Sequence, residues 1–354
     1  MNNKWFYPLL ILSTLLSAGA HYFLDHQFIQ FVAASFSLLL WAALLGKATE
    51  NVAHYAGERL GGLLNATFGN AAELIIAIFL VKEGYFDMVK ASITGSVIGN
   101  LLLVLGLSVL FGGMKHKTQR FNAELAGHNA SLMMLSVIAL FIPAAFIQSL
   151  GEREIGIISM IIAFLLIAGY FLWLYFSLVT HKAELGDAAN GLPDREEENE
   201  EPVWSGKISL LILFISTVFV AIQSEWLVHS VESVAHTLGW SRLFVGAFLI
   251  AIIGNAAEHS AAIFLAMKNR MGAAVEIAIG SSLQISLFVA PVLIFVSWLF
   301  QNPMDILFTH HEIAAIAVSA LITASISRDG ATNWYEGVLL LIVYFILGAV
   351  FFVA

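Results

Sequence analysis

The sequence predicts an all-α membrane protein with eleven transmembrane helices: one extra N-terminal helix, then two inverted five-helix repeats. Three observations lead there. Of 354 residues 59% are apolar and only 12% charged, and the mean hydropathy of +0.86 exceeds that of a soluble domain of this length. Continuous apolar runs recur from Trp5 to the C-terminus, and each is close to the roughly 20 residues a helix needs to cross a hydrocarbon core of about 30 Å. Barrel strands would be shorter and would alternate. Finally, a shift of 185 residues lays Gly61–Leu80 on Gly246–Leu265 with 12 of 20 positions identical, including the whole of Gly69-Asn70-Ala71-Ala72-Glu73. Five helices per copy is an odd number, so the second copy enters the membrane from the opposite side.

Taken in order, the first run, Trp5 to Leu24, follows a single Lys and lacks a clear small-residue cleavage site. It reads as a retained span, with a cleaved signal peptide as the alternative. Phe28 to Leu45, with a polar extension, opens the first repeat (residues 28–181). Gly61–Val81, Val89–Phe111, Ala123–Gln148 and Ile155–Val179 complete it. Residues 182–203 form the one markedly hydrophilic segment, with the acidic run Arg195 to Glu201, and read as a solvated cytoplasmic linker. This linker lacks the spacing of a folded calcium loop. The second repeat (residues 204–354) comprises Lys207–Gln223, Leu243–Met267, Ala273–Phe300, Ile306–Ser325 and Trp334–Val353. With the N-terminus inside, 12 of the 16 Lys and Arg face the cytoplasm, which places the C-terminus outside an inner membrane.

Composition also excludes chemistry. Without cysteine there is neither a disulfide nor a thiolate metal site. No nucleotide-binding loop of the G-x-x-x-x-G-K-[ST] type occurs, so a primary pump is excluded. His311-Glu312 has no second His three residues on, so an intramembrane metalloprotease is excluded as well, and the chain reads as a non-enzyme without cofactor. Nothing in it points to nucleic acid.

A carboxylate at the centre of a span costs roughly 2.5–3.5 kcal/mol. This chain carries one at the equivalent point of each half, Glu73 and Glu258. Two such groups facing each other in low dielectric hold either a cation or protons. Inverted repeats bring such groups to the bilayer midplane, the architecture of secondary transporters.

Gly69 and Gly254 precede the glutamates by one helical turn, where an opened turn would aim their carbonyl oxygens at the same ion. Asn70 and Asn255 add neutral oxygens. An all-oxygen set with two negative charges suits Ca2+, although Mn2+ overlaps in preference. Ser96 and Asn100 in one half, and Ser281, Ser282 and Gln284 in the other, are candidates for a polar lining; interhelical hydrogen bonding is their structural alternative. Glu50, Glu225 and His259 are candidates for a proton or access path, against solvation for the acids and packing for the histidine.

The stretches GLLNATFGNAAELIIA at Gly62–Ala77 and GNAAEHSAAI at Gly254–Ile263 resemble the two signature repeats of calcium/cation antiporters, specifically the calcium/proton exchanger (CAX) family of bacterial type. The likeness extends to GSVIGN, GSSLQIS and the acidic linker. It implies export of Ca2+ in exchange for H+ by alternating access, with Glu73, Glu258, Gly69 and Gly254 as the ion ligands. It further implies helices sliding against a fixed core, and a homotrimer in some members. A sodium/calcium exchanger of the same fold is the rival; those resemble GTSxPE and carry more acidic ligands.

Overall fold

The structure, a computed structural model, describes residues 4–146, 151–182, 184–185 and 203–353; the acidic run Arg195–Glu201 lies outside the described residues. Among the described residues, ten helical runs are long and apolar enough to cross a membrane. They begin with α1 (Phe6–Phe23) and α2 (Gln27–Ala56). The expected third span is divided: α3 (Glu58–Phe68) stops at Gly69-Asn70, and α4 (Ala71–Lys82) restarts beyond it. At 11 and 12 residues neither piece spans a bilayer alone. After α5 (Phe86–Ile98) and α6 (Leu105–Lys115), joined by a π-helical segment at Gly99–Val104, come α7 (Ala123–Phe146) and α8 (Glu152–Tyr175).

The second half opens with α9 (Gly206–Leu238). The short α10 (Arg242–Phe244), a π-helical segment at Val245–Ile250 and α11 (Ala251–Met267) then form one continuous helical run. A further π-helical segment at Ile285–Val289 joins α12 (Met271–Gln284) to α13 (Ala290–Leu299). The chain closes with α14 (His310–Ile326) and α15 (Trp334–Val353).

Two boundaries depart clearly from the hydropathy reading, each for a local reason. α9 runs on from Gln223 to Leu238, because Ser224–Leu238 mixes polar and apolar residues, which lowers its hydropathy without opposing a helix; a left-handed Gly239 ends it. α14 starts at His310 rather than Ile306, because Thr309 and Glu312 form a reciprocal capping box. The fold is also not purely helical. β1 (Thr118–Arg120) pairs antiparallel with β2 (Ala331–Asn333), tying the α6–α7 and α14–α15 connections together.

Contacts at the helix ends sort into two sets. At one end stand the β1–β2 pair, the Tyr55 hydroxyl donating to the Trp204 carbonyl at 3.0 Å, and Gln119 donating to the Ala266 carbonyl at 2.8 Å and to Asn269 at 3.1 Å. At the other end Lys82 meets Glu225 at 3.5 Å, Lys90 meets Asp305 at 2.6 Å, and Arg242 grips both carboxylate oxygens of Glu232. The long α2 and α9 pack against each other, with Trp41 stacked on Phe219 at 4.2 Å. The buried core lies chiefly in α5, α12 and the π-helical segments that follow them.

Candidate ion-binding site

The two glutamates meet crosswise. A Cβ added to Gly254 would lie 3.0 Å from Glu73 Cγ and 3.7 Å from its Oε1. One added to Gly69 would lie 3.5 Å from Glu258 Oε1 and 3.4 Å from Gln284 Oε1. Each half therefore supplies the glycine that makes room for the other half's carboxylate. Glu73, in the first turn of α4, is buried; Glu258, in the middle of α11, is half-buried.

Neutral polar groups surround the pair. Asn70 Nδ2 donates to Gln284 Oε1 at 2.7 Å, and Ser281 Oγ donates to Glu258 Oε2 at 2.5 Å. Asn255 Nδ2 donates to Ser96 Oγ at 3.0 Å and to its own helix at the Ala251 carbonyl, 2.8 Å away. Asn100 Nδ2 reaches Asn255 Oδ1 at 3.4 Å, and its Oδ1 lies 3.1 Å from His259 Nε2. The oxygen of Asn70 is buried without a hydrogen-bond partner, and such an atom normally finds one. Nε2 of its partner Gln284 is likewise buried without a partner.

Among the described residues no three His, Cys, Asp or Glu side chains gather as a metal cage. A cation held by Glu73 and Glu258 would therefore complete its shell from amide, hydroxyl and backbone oxygens, the donor type that hard cations such as Ca2+ accept.

The sequence profile of the sodium/calcium exchanger protein family matches residues 26–179 and 208–353. The chain belongs to that family. Its relatives include the Ca(2+)/H(+) antiporter ChaA of Bacillus subtilis, 48% identical over 319 residues covering 89% of this chain and 90% of that protein. The Ca(2+)/H(+) antiporter of Aphanothece halophytica is 44% identical over 99% of this chain and 96% of its own length. The solved structure of native YfkE superposes with a TM-score of 0.85 at 40% identity, covering 99% of this chain and 100% of that one.

Within this family member, the residues singled out from the sequence divide in three. Glu73, Glu258, Gly69, Gly254, Asn70, Asn255, Ser96, Asn100, Ser281, Gln284 and His259 converge on one locality. Ser282 does not line it: its hydroxyl turns to carbonyls at Ala278 (2.8 Å) and Val97 (3.5 Å), because a serine inside a helix is readily satisfied by the preceding turn. Glu50 is exposed on the last turns of α2, and Glu225 is held in the Lys82 ion pair at the opposite end, so neither joins the site.

The expectation that both glycines open their helices holds for Gly69 alone; α11 runs unbroken through Gly254. Sequence reasoning missed the π-helical segments at Gly99–Val104, Val245–Ile250 and Ile285–Val289, which flank the polar residues of the site. Their residues are mostly apolar, with Gly99, Asn100, Gly246 and Ser286 among them, and no periodicity marks the change of helical pitch.

Proposed function

We propose that this protein is a secondary active transporter that exports Ca2+ in exchange for H+ by alternating access, with Glu73 and Glu258 holding the ion or protons in turn. The observation that carries the reading is the reciprocal approach of Gly254 to Glu73 and of Gly69 to Glu258, a two-carboxylate centre flanked by neutral oxygens. The antiporter relatives support the same chemistry. If the site must be neutral to reorient, two protons or one Ca2+ satisfy the pair while the empty dianion stays trapped, and exchange replaces leak. Two protons per Ca2+ make the exchange electroneutral.

In this reading α3 and α4 together are an eleventh crossing. Tyr55, just before α3, meets Trp204, whereas Lys82, at the end of α4, meets Glu225, about 30 Å further along the α9 run at 1.5 Å per residue. Residues 28–181 and 204–354 are then inverted repeats around the site, with residues 1–27 as an added helix and residues 182–203 as a linker. The end bearing Lys115, Lys117, Arg120, Lys268, Arg270 and Arg328 is the cytoplasmic one, which puts the N-terminus inside and the C-terminus outside the cell membrane. Asn65, Gly69 and Ser260 are exposed on the halves of α3 and α11 toward that end, and this supports a site open to the cytoplasm. α2 and α9 are the helices that slide, against a core of the remaining spans. A trimer fits the same scheme as an assembly of independent exchangers.

Sodium coupling is the second reading, because the family includes sodium/calcium exchangers by name. The absence of a third acid beside the pair among the described residues favours protons. Inverted vesicles loaded acid inside, with 45Ca uptake followed for the parent, Glu73→Gln and Glu258→Gln, separate the two. Uptake that collapses with a protonophore and in both variants supports the proposal; uptake driven by a sodium gradient, or surviving both substitutions, overturns it.

A further inference from the structure

α1 has no part in this exchange scheme and precedes the region the family profile matches, which begins at residue 26. It nevertheless grips α9. Ser17 Oγ donates to Gln223 Oε1 at 2.6 Å inside the bundle. One turn further along α1, His21 stacks on Trp226 with ring centroids 4.8 Å apart and planes at 13°, and Tyr22 meets the same indole edge-on at 5.8 Å. His229, three residues beyond Trp226, lies 6.2 Å from His21. Nδ1 of His21 is buried and lacks a hydrogen-bond partner, while His229 is exposed.

The charged and titratable groups around the pair are few. Glu225 stands one turn before His229 on α9, 3.5 Å from Lys82 at the end of α4, and the turn between α1 and α2 carries Asp25 and His26. From α2 the contact with α1 is neutral, Trp41 Nε1 donating to Thr14 Oγ1 at 2.9 Å.

We propose that His21 and His229 form a proton-binding pair at the outer end of the molecule that sets how firmly α1 holds α9, so that external acid loosens the brace and speeds exchange. The inference rests on the reading of α9 as a sliding helix whose Leu238 end faces outward. Imidazole changes charge between about pH 5 and 8, the range an external medium spans. Protons on both imidazoles set two cations with ring centroids 6.2 Å apart in a partly buried seam, where Coulomb repulsion is poorly screened. Glu225 cannot balance both, because it already faces Lys82. Separation of the rings opens the seam that Ser17–Gln223 and His21–Trp226 hold shut.

The test uses full-length protein in liposomes and two readouts. Opening of the seam brings the Trp226 indole into water, and the emission lost on Trp226→Phe isolates its signal. That signal is expected to shift to longer wavelength as pH drops from about 8 to 5.5, and not to shift in His21→Gln. Exchange rate against outer-face pH, at constant inner pH and corrected for driving force, is expected to rise several-fold toward acid in the parent and to stay flat in His21→Gln and in the exposed-site variant His229→Gln. Parallel pH profiles in parent and both variants, with exchange still dependent on Glu73, overturn the inference and leave the proposed function standing. A parent without Ca2+/H+ exchange overturns the function, while the Trp226 titration still decides whether the pair binds protons at this contact.

Discussion

The same five residues, Gly-Asn-Ala-Ala-Glu, occur at 69–73 and 254–258 and fold differently. In the first copy the helix breaks at Gly69-Asn70, the glycine is exposed, and the asparagine oxygen is buried without a partner. In the second the helix continues, the glycine is buried, and the asparagine is engaged by Ser96, Asn100 and the Ala251 carbonyl. The cause lies in the neighbours, where the repeats differ. Asn70 finds Gln284, whose counterpart in the other half is Gly99; Asn255 finds Asn100, whose counterpart is Ile285. An asparagine bonded to the carbonyl one turn back stays helical, and one drawn sideways to a glutamine does not. Identical residues thus sit in one half on a hinge and in the other on a rod.

That contrast can be broken by experiment, and the largest effects fall on what the halves share. Glu73→Gln and Glu258→Gln are each expected to lower Ca2+ uptake in vesicles by more than about 100-fold, since either leaves a single carboxylate; residual uptake in one of them would show unequal halves. Gly254→Ala pushes a methyl group against Glu73 Cγ, and about a tenfold weaker apparent Ca2+ affinity is expected from 45Ca titration.

The asparagines should separate by type of damage. Asn255→Ala strands several partners and is expected to lower stability by about 1–3 kcal/mol, read as a drop in Tm in detergent. Asn70→Ala is expected to keep Tm and to weaken Ca2+ binding. Equal Tm losses would erase the distinction between hinge and rod.

Ser281→Ala removes a donor that favours the ionised Glu258 and is expected to tip competition toward protons by several-fold, measured as inhibition of uptake at low pH. Ser282→Ala, which loses bonds only to backbone carbonyls, is expected to leave exchange within about twofold.

The spans were legible because lipid demands long apolar runs, and the glutamates because a repeated charge in such a run has no cheap structural explanation. What stayed hidden was non-local. The extension of α9 past Gln223 depends on helix propensity outside the hydrocarbon, which hydropathy does not measure. The strand pair joins three residues near 119 to three near 332, too short to pattern and too distant to suspect. The break at Asn70 was expected from glycine at both sites, yet glycine permits a break without requiring one, and a glutamine two spans away in the other half goes with the copy that yields.

The pairing of Thr118 with Asn333 also bears on biogenesis. A ribosome emits the first strand some 215 residues before the second exists, so eight helices, α7 to α14, can be laid down while that edge waits. The last hairpin to insert is therefore the one that closes this latch, and a nascent chain stays unlatched until synthesis is nearly over. If Glu73 and Glu258 hold the ion together as proposed, leakage through half-made copies is limited by the same circumstance, because Glu258 too arrives late and a chain without it has only half of the site.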